Sequence, residues 1–176
     1  MRKWTGIVAL TLLIACHGRD RAAPPQADPA AWIASLLRRA TNDSDLARMA
    51  IERGQSPRTR AAAAVIARES AALEGELNRL GRKHKPALPQ QQDDKRIALK
   101  ENLEILRSDL FDRAYALAMV QETDDLLRTL DSAEKADDPD IRQLALHHRP
   151  MIVEERRIAN ELLKQTGGAP WPGFKP

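Results

Sequence analysis

Residues 99–130 read LKENLEILRSDLFDRAYALAMVQETDDLLRTL and carry the clearest periodic pattern of the chain. The apolar positions that recur at helical spacing are Leu99, Leu103, Leu106, Leu110, Ala114, Leu117, Val120, Leu127 and Leu130. An α-helix completes a turn every 3.6 residues, so these side chains share one face. The stretch predicts a long amphipathic helix that begins near Asp93, bends if anywhere at Ser108-Asp109, and turns one face toward a core.

Three dipeptides that place proline directly after a capping residue mark the starts of three further helices. These dipeptides are Asp28-Pro29, Ser56-Pro57 and Asp138-Pro139. Aspartate and serine cap helix amino termini well, and proline is tolerated at the first helical position. The first of these helices is predicted to end before Gly54, with at most one break near Thr41-Asn42. The second is predicted to end near Lys85.

The last predicted helix contains an internal proline. Its inward positions are predicted to be Ile141, Leu144, Ala145, His148, Ile152, Glu155, Ala159 and Leu162. Pro150 is expected to kink this helix, because proline lacks an N–H group and clashes with the preceding turn. Four amphipathic helices with short connections predict an all-α fold, namely an antiparallel four-helix bundle with a kink at Pro150 in the last helix.

The composition supports a single helical domain. The chain has 176 residues, of which 3% are aromatic and only 8 are glycine. Such a mixture, rich in Ala, Leu, Arg and Glu, favours helices over strands. Arg2 and Lys3 are the only charged residues among the first 15, so residues 16–176 carry 26 basic and 25 acidic side chains. That near-balance gives no indication of binding to nucleic acid, and we expect no such partner.

The amino-terminal residues predict export and a lipid anchor. A basic start, MRK, precedes an apolar run over residues 7–15, which is shorter than the roughly 20 residues of a membrane-spanning helix. The run ends in LIAC at residues 13–16, which resembles a bacterial lipobox. The resemblance implies a diacylglyceryl thioether on Cys16, cleavage before it, and acylation of the new amino terminus. The alternatives are an ordinary signal peptide with an incidental cysteine, and a buried cysteine in a helix of the domain.

This interpretation divides the chain into four parts. Residues 1–15 are a lipoprotein signal peptide, and residues 16–28 are the lipidated amino terminus and a flexible tether. Residues 29–165 form the helical-bundle domain, and residues 166–176 form a disordered tail. His17 stands where retention in the inner membrane usually requires aspartate. The predicted location is therefore the outer membrane, with the domain facing the periplasm.

A short motif in the long helix resembles a known family. Phe111-Asp112-Arg113-Ala114-Tyr115, followed by AMV at 118–120, is similar to a segment of the family called domain of unknown function 4142. Other segments that fit in the same order are Ala50-Ile51-Glu52-Arg53, Ser56-Pro57, Leu88-Pro89, Asp138-Pro139 and Pro150. The resemblance covers about residues 29–165 and implies a ferritin-like bundle in an exported bacterial protein. Phe111 and Tyr115 are one helical turn apart and are expected to be buried.

The resemblance also implies where metal ligands would lie. Family members carry a glutamate in the first helix and a histidine in each later helix, all facing inward. The corresponding positions here hold Asp43, Ser70, Thr123 and Glu155. Hydroxyl groups are poor ligands for first-row metals at neutral pH, whereas imidazole binds them well. We therefore expect this ligand set to be lost, with no stoichiometric transition metal and no cofactor besides the covalent lipid.

The histidines of the chain add at most a weak metal site. A ferritin-type site needs Glu-x-x-His on two helices, and none of the four histidines follows a glutamate at that spacing. His147 and His148 are about 100° apart around a helix and are not expected to face one inward site. The only candidates for a weak site are Asp43, His148 and Glu155.

The two inward carboxylates need compensation, because burying an unpaired charge is costly and raises the pKa of an acid. We expect Asp43 and Glu155 to join a buried hydrogen-bonded layer. Their predicted partners are Ser70 and Thr123, or an arginine such as Arg156.

The sequence contains no phosphate-binding loop, nucleophile elbow or Cys-His pair, so no catalytic or cofactor-binding residue is predicted. It predicts a lipid-anchored cell-envelope protein whose noncatalytic bundle serves interaction or scaffolding, with the membrane as the partner of the lipid. The alternative is a metal-binding or oxidative-stress protein of ferritin type. A peripheral membrane or peptidoglycan binder is a third class that stays open.

Overall fold

A computed structural model describes residues 28–85 and 94–167 of the chain, and within those ranges it contains five α-helices and no strand. The helices are α1 (Pro29–Arg53), α2 (Pro57–His84), α3 (Asp94–Ile105), α4 (Ser108–Ala133) and α5 (Pro139–Gln165). The all-α prediction is confirmed. None of these described helices has the length and apolar character needed to cross a lipid bilayer.

The predicted capping residues begin three of the helices. Asp28, Ser56 and Asp138 each accept hydrogen bonds from backbone N–H groups two or three residues further along, and proline occupies the first helical position each time. Helix α2 ends at His84, and the capping residue Lys85 adopts the left-handed conformation with φ of 47°. The starts of α1, α2 and α5 therefore follow from local sequence alone.

The third helix was predicted to bend at most at Ser108-Asp109, but the chain breaks just before this point, at Leu106 and Arg107, to form the two helices α3 and α4. Arg53, at the end of α1, donates hydrogen bonds to the backbone oxygens of Leu103 at 3.3 Å and Leu106 at 2.8 Å. The Leu103 oxygen also accepts a hydrogen bond from the Leu106 N–H group, whereas the Leu106 oxygen, at the carboxyl end of α3, is bound by Arg53. A distant side chain thus stabilises the end of α3.

The core consists of two apolar clusters at opposite ends of the long helices. The first core cluster contains Leu46, Ala47, Ala50, Ala62, Ala63, Ile66, Leu99, Leu103, Phe111, Ala114, Tyr115, Ala116, Ala118, Met119, Ala159 and Leu162. The second core cluster contains Ile33, Leu36, Ala40, Leu73, Leu77, Leu80, Leu126, Leu130, Ala133, Ala136, Ile141, Leu144, Ala145 and Ile152. The start of α1 meets the end of α2, so these two helices run in opposite directions, as do α4 and α5.

Helix α5 continues through Pro150 from residue 139 to residue 165, so the proline does not end it. Pro150 is exposed, as are Leu146 and Val153 on the same helix. The residues predicted to form the signal peptide, most of the tether and most of the tail lie outside the described ranges.

Candidate functional site

The four inward positions nominated by the sequence lie between the two core clusters. Asp43, Ser70, Thr123 and Glu155 come from α1, α2, α4 and α5 and are only 4–8% exposed. On each helix, one neighbouring turn contributes to the first core cluster and the other to the second. The predicted inward orientation is confirmed, and these residues define a buried polar layer across the middle of the domain.

Two arginines hold Asp43. Its Oδ1 accepts a hydrogen bond from Arg96 Nη1 at 3.2 Å, and its Oδ2 lies 3.6 Å from Arg39 Nε. Arg96 Nη2 also donates to Glu122 Oε2 at 2.5 Å, and Arg39 Nη2 lies 2.9 Å from the same oxygen. Arg39 donates in addition to the backbone oxygen of Glu122. We call Arg39, Asp43, Arg96 and Glu122 the charge network, which joins α1, α3 and α4.

The charge network balances two guanidinium groups against two carboxylates, and its side chains are only 11–16% exposed. Burial acts to lower the pKa of Arg96, but Asp43 and Glu122 outweigh it and raise that pKa above its ordinary value. Burial raises the pKa of Glu122, while Arg39 lowers it and Asp43 raises it further. Removing one member would leave its partners buried with an unbalanced charge.

The predicted partners of the two inward acids are wrong in two cases. The hydroxyl group of Thr123 donates within its own helix, to the backbone oxygen of Met119 at 2.8 Å or of Val120 at 3.0 Å. Arg156 is half-exposed and pairs with Asp124. Neither side chain is therefore the partner of an inward carboxylate.

The sequence reasoning missed three of the four members of the charge network. Arg96 lies three residues before Leu99, on the same helical face as that buried leucine. Arg39 lies one turn before Asp43 and Glu122 directly precedes Thr123. The spacing of Arg96 and Arg39 was a usable signal, because residues three or four apart share a helix face.

Glu155 and Tyr115 contribute buried polar atoms that lack hydrogen-bond partners among the described residues, namely Glu155 Oε1 and the Tyr115 hydroxyl. Burial raises the pKa of Glu155 to about 8, with the charges of Asp43 and Glu69 adding to the effect. Burial also raises the pKa of Tyr115, as do Asp43 and Glu155. Glu155 is therefore mostly protonated at pH 7, which avoids the cost of burying a charged carboxylate.

The residues of the polar layer do not fit the metal site that the family resemblance implies. Asp43 already faces two guanidinium groups, whose positive charge opposes binding of a cation. Thr123 donates to its own helix, and a protonated Glu155 is a poor ligand. This donor set suits a hydrogen-bonded interior better than it suits a transition metal.

His148, the third candidate for a weak site, faces another group of residues. It is 1% exposed, and its Nε2 lies 3.4 Å from Glu76 Oε2 on α2. His147 Nε2 lies 3.5 Å from Glu76 Oε1. The two histidines do not face one inward site, because His148 is buried whereas His147 is exposed, but both rings approach Glu76 at the α2–α5 contact.

The Phe-Asp-Arg-Ala-Tyr motif has a structural role. Asp112 accepts hydrogen bonds from the backbone N–H groups of Gln55 at 2.9 Å and Ser56 at 2.8 Å. The Arg53 guanidinium lies 5.1 Å from the centre of the Phe111 ring, and Phe111 and Tyr115 are fully buried as predicted. The motif thus fastens the start of α4 to the turn between α1 and α2.

The described residues form an all-helical domain. Its polar layer and charge network occupy the middle of the domain, between the two apolar core clusters. The chain belongs to the family described as domain of unknown function (DUF4142), which it matches over residues 16–162. That match confirms the resemblance predicted from residues 111–115. No curated protein and no solved structure matches the chain.

Proposed function

We propose that this chain is a lipid-anchored protein of the bacterial cell envelope whose helical domain acts without catalysis, in interaction or scaffolding. The lipid would be attached to Cys16, and the domain would face the periplasm, most simply from the outer membrane. The lipobox-like sequence LIAC at residues 13–16 supports the anchor.

The observation that carries the noncatalytic role is the charge network. Asp43 and Glu122 are each bound by both Arg39 and Arg96, so these four groups are committed to one another rather than to a substrate. A catalytic centre needs unengaged acids, bases or nucleophiles beside a space that admits substrate. The cleft of about 250 Å³ between α1 and α3 is lined by Arg96, whose guanidinium group is already paired with Asp43 and Glu122.

An exposed apolar stripe on α5 supports an interaction role. Leu146 is 52% exposed, Val153 is 45% exposed, and the exposed Pro150 lies between them at helical spacing. Exposed apolar side chains that share a helix face are typical of surfaces that bind other proteins.

The finer architecture belongs to the same proposal. We infer an antiparallel, ferritin-like bundle of α1, α2, α4 and α5, with α3 as a short crossover and a kink in α5 at Pro150. Two features support this arrangement. Each core cluster takes residues from opposite ends of successive long helices, and a proline lies within α5.

Mass spectrometry and crosslinking test the two halves of the proposal. The amino-terminal peptide of the protein from membranes should begin at Cys16 and carry the mass of its acyl chains. An unmodified or internal Cys16 would contradict the anchor. A photo-crosslinking residue in place of Leu146 or Val153 should give a discrete adduct in intact cells.

The matched control for crosslinking is Ala71, an exposed residue of α2 away from the stripe. It should give no adduct. Equal crosslinking from Ala71 and Val153, or none from either stripe position, would contradict an interaction through α5.

A ferritin-type metal-binding protein is the second candidate. The unpartnered Oε1 atom of Glu155 and hydroxyl of Tyr115 favour it, because both could face a bound ligand. Metal content after replacement of Asp43 distinguishes it from the first candidate.

A further inference from the structure

Two histidines and a glutamate meet where α5 packs against α2. We infer that Glu76, His147 and His148 form a binding site for a divalent transition metal of the zinc type, separate from the buried polar layer. Their ligand atoms all lie within 4.8 Å of one another. This inference is independent of the proposed lipid anchor and of the noncatalytic role.

The distances in this cluster suit one small ion. A tetrahedral zinc ion holds nitrogen and oxygen ligands at about 2.0–2.2 Å, which places neighbouring ligand atoms about 3.3–3.6 Å apart. The Nε2 atoms of His147 and His148 lie 3.5 Å and 3.4 Å from the two Glu76 carboxylate oxygens. Each histidine approaches a different oxygen of Glu76, and the three ligand atoms lie within 4.8 Å of one another, so the side chains would draw closer together to enclose an ion.

His148 supplies the observation that points to a ligand. Its ring is 1% exposed, yet its Nε2 atom has no hydrogen-bond partner among the described residues. The 3.4 Å contact with Glu76 is close but lacks hydrogen-bond geometry. A buried polar atom without a partner is costly, and a metal ion would satisfy it.

The types of ligand atom also suit a transition metal. Neutral imidazole binds such a metal through a ring nitrogen lone pair. Two imidazole nitrogens with one carboxylate oxygen favour zinc and its neighbours over magnesium or calcium.

The cluster is reachable from solvent. His147 is exposed, and with Glu76 it lines an open cleft of about 310 Å³ between α2 and α5. An ion could enter through this cleft, and water could complete its coordination. Because Glu76 belongs to α2 and both histidines belong to α5, a bound ion would crosslink two helices that are far apart in sequence.

A second group of potential ligands, His84, Asp138 and Asp140, is less suitable. Asp138 already caps α5 through the N–H groups of Asp140 and Ile141. Asp140 already pairs with Lys83. The Nε2 atom of His84, like that of His148, is buried without a hydrogen-bond partner, but the carboxylates beside it are engaged. This group therefore provides a control for binding to a histidine whose neighbouring acids are already occupied.

The full chain, purified in detergent without a histidine tag and stripped of metal, should be titrated with Zn²⁺ alone. We expect one equivalent to bind and to raise the unfolding midpoint. His147→Ala and Glu76→Gln should each weaken binding more than about tenfold, since even partners that only orient ligands contribute that much. Neither residue lies fully inside the core, so both variants should fold. His84→Ala should bind Zn²⁺ as the unchanged protein does.

Co²⁺ in place of Zn²⁺ should give the visible absorption of a four-coordinate site, lost in His147→Ala. Failure of the unchanged chain to bind Zn²⁺ would overturn the inference. Binding that survives both His147→Ala and Glu76→Gln, or that disappears only in His84→Ala, would overturn it equally.

Discussion

Individual buried polar residues explain most of the local order of this domain. Asp112 is the clearest case, because each of its carboxylate oxygens accepts one backbone N–H from the α1–α2 turn. Gly54, in the same turn, leaves no room for a side chain, since a Cβ would lie 2.6 Å from the Ala50 oxygen. The turn and the start of α4 therefore depend on a few specific residues.

Asp112→Ala should lower the free energy of unfolding by about 2–4 kcal/mol, because two backbone donors lose a charged acceptor. Asp112→Asn keeps one acceptor oxygen and should lose less. Urea unfolding of both variants measures the difference. Equal losses below about 0.5 kcal/mol would show that the two hydrogen bonds do not stabilise the domain.

Glu155 predicts a pH dependence. Burial raises its pKa from 4.5 to about 8, so between these values the folded chain holds a proton that the unfolded chain releases. The free energy of unfolding should therefore fall as pH rises from about 5 to about 8, by no more than about 5 kcal/mol. Glu155→Gln should remove this part of the slope.

Glu154→Gln is the matched control for that experiment. Its side chain is exposed, and the hydrogen bond from Arg157 lowers its pKa, so it does not titrate between pH 5 and pH 8. The difference between each variant and the unchanged chain separates the contribution of Glu155 from those of the other titratable groups. Parallel pH profiles for the unchanged chain and Glu155→Gln would contradict a buried, protonated Glu155.

At the scale of helices, local sequence signals predicted where α1, α2 and α5 start, but they did not predict that α3 ends at Ile105. Asp28, Ser56 and Asp138 cap helices because an N-cap needs only its own next few residues. The exact position of the break after Ile105 was not predictable in this way, although a bend was expected close by at Ser108-Asp109. Arg53 stabilises the break, and its contact with the Leu103 and Leu106 oxygens depends on how α1 packs against α3.

In the polar layer, too, some features could be predicted from the sequence and others depend on the packed fold. The family resemblance was sufficient to predict that Asp43, Ser70, Thr123 and Glu155 face inward, and the apolar stripe of the last helix agrees for Glu155. Their partners depend on which neighbouring helix presents which side chain, and that requires the packed fold. Arg96, which binds Asp43, belongs to α3, and the prediction from the sequence had joined α3 and α4 in one helix.

Arg96 should anchor α3 to the rest of the domain. Arg96→Ala leaves Asp43 and Glu122 with a single arginine and should lower the free energy of unfolding by about 3 kcal/mol. Hydrogen exchange should become faster in residues 94–105 than in α2. Arg128→Ala removes an exposed arginine paired with Asp125 and should cost less than about 1 kcal/mol. Equal exchange in both variants would contradict the anchoring role.

At the scale of the whole molecule, the charge network and the histidine cluster have different consequences. The charge network occupies the centre of the domain, where its two arginines and two carboxylates neutralise one another. The Glu76, His147 and His148 cluster lies at the α2–α5 contact and keeps access to solvent. Any metal bound by the described domain is therefore expected at its edge and not at its centre.

The central claim is that the charge network, and not a metal ion, fills the centre of the domain, which we call a closed centre. The direct test is to measure the metal content and the unfolding midpoint of the purified full chain, for the unchanged protein and for Asp43→Asn. A closed centre predicts the same number of ions per chain in both proteins and a lower midpoint for Asp43→Asn, because the charge network loses one carboxylate. Loss of a stoichiometric ion in Asp43→Asn, with a midpoint that chelators lower in the unchanged chain, would contradict it.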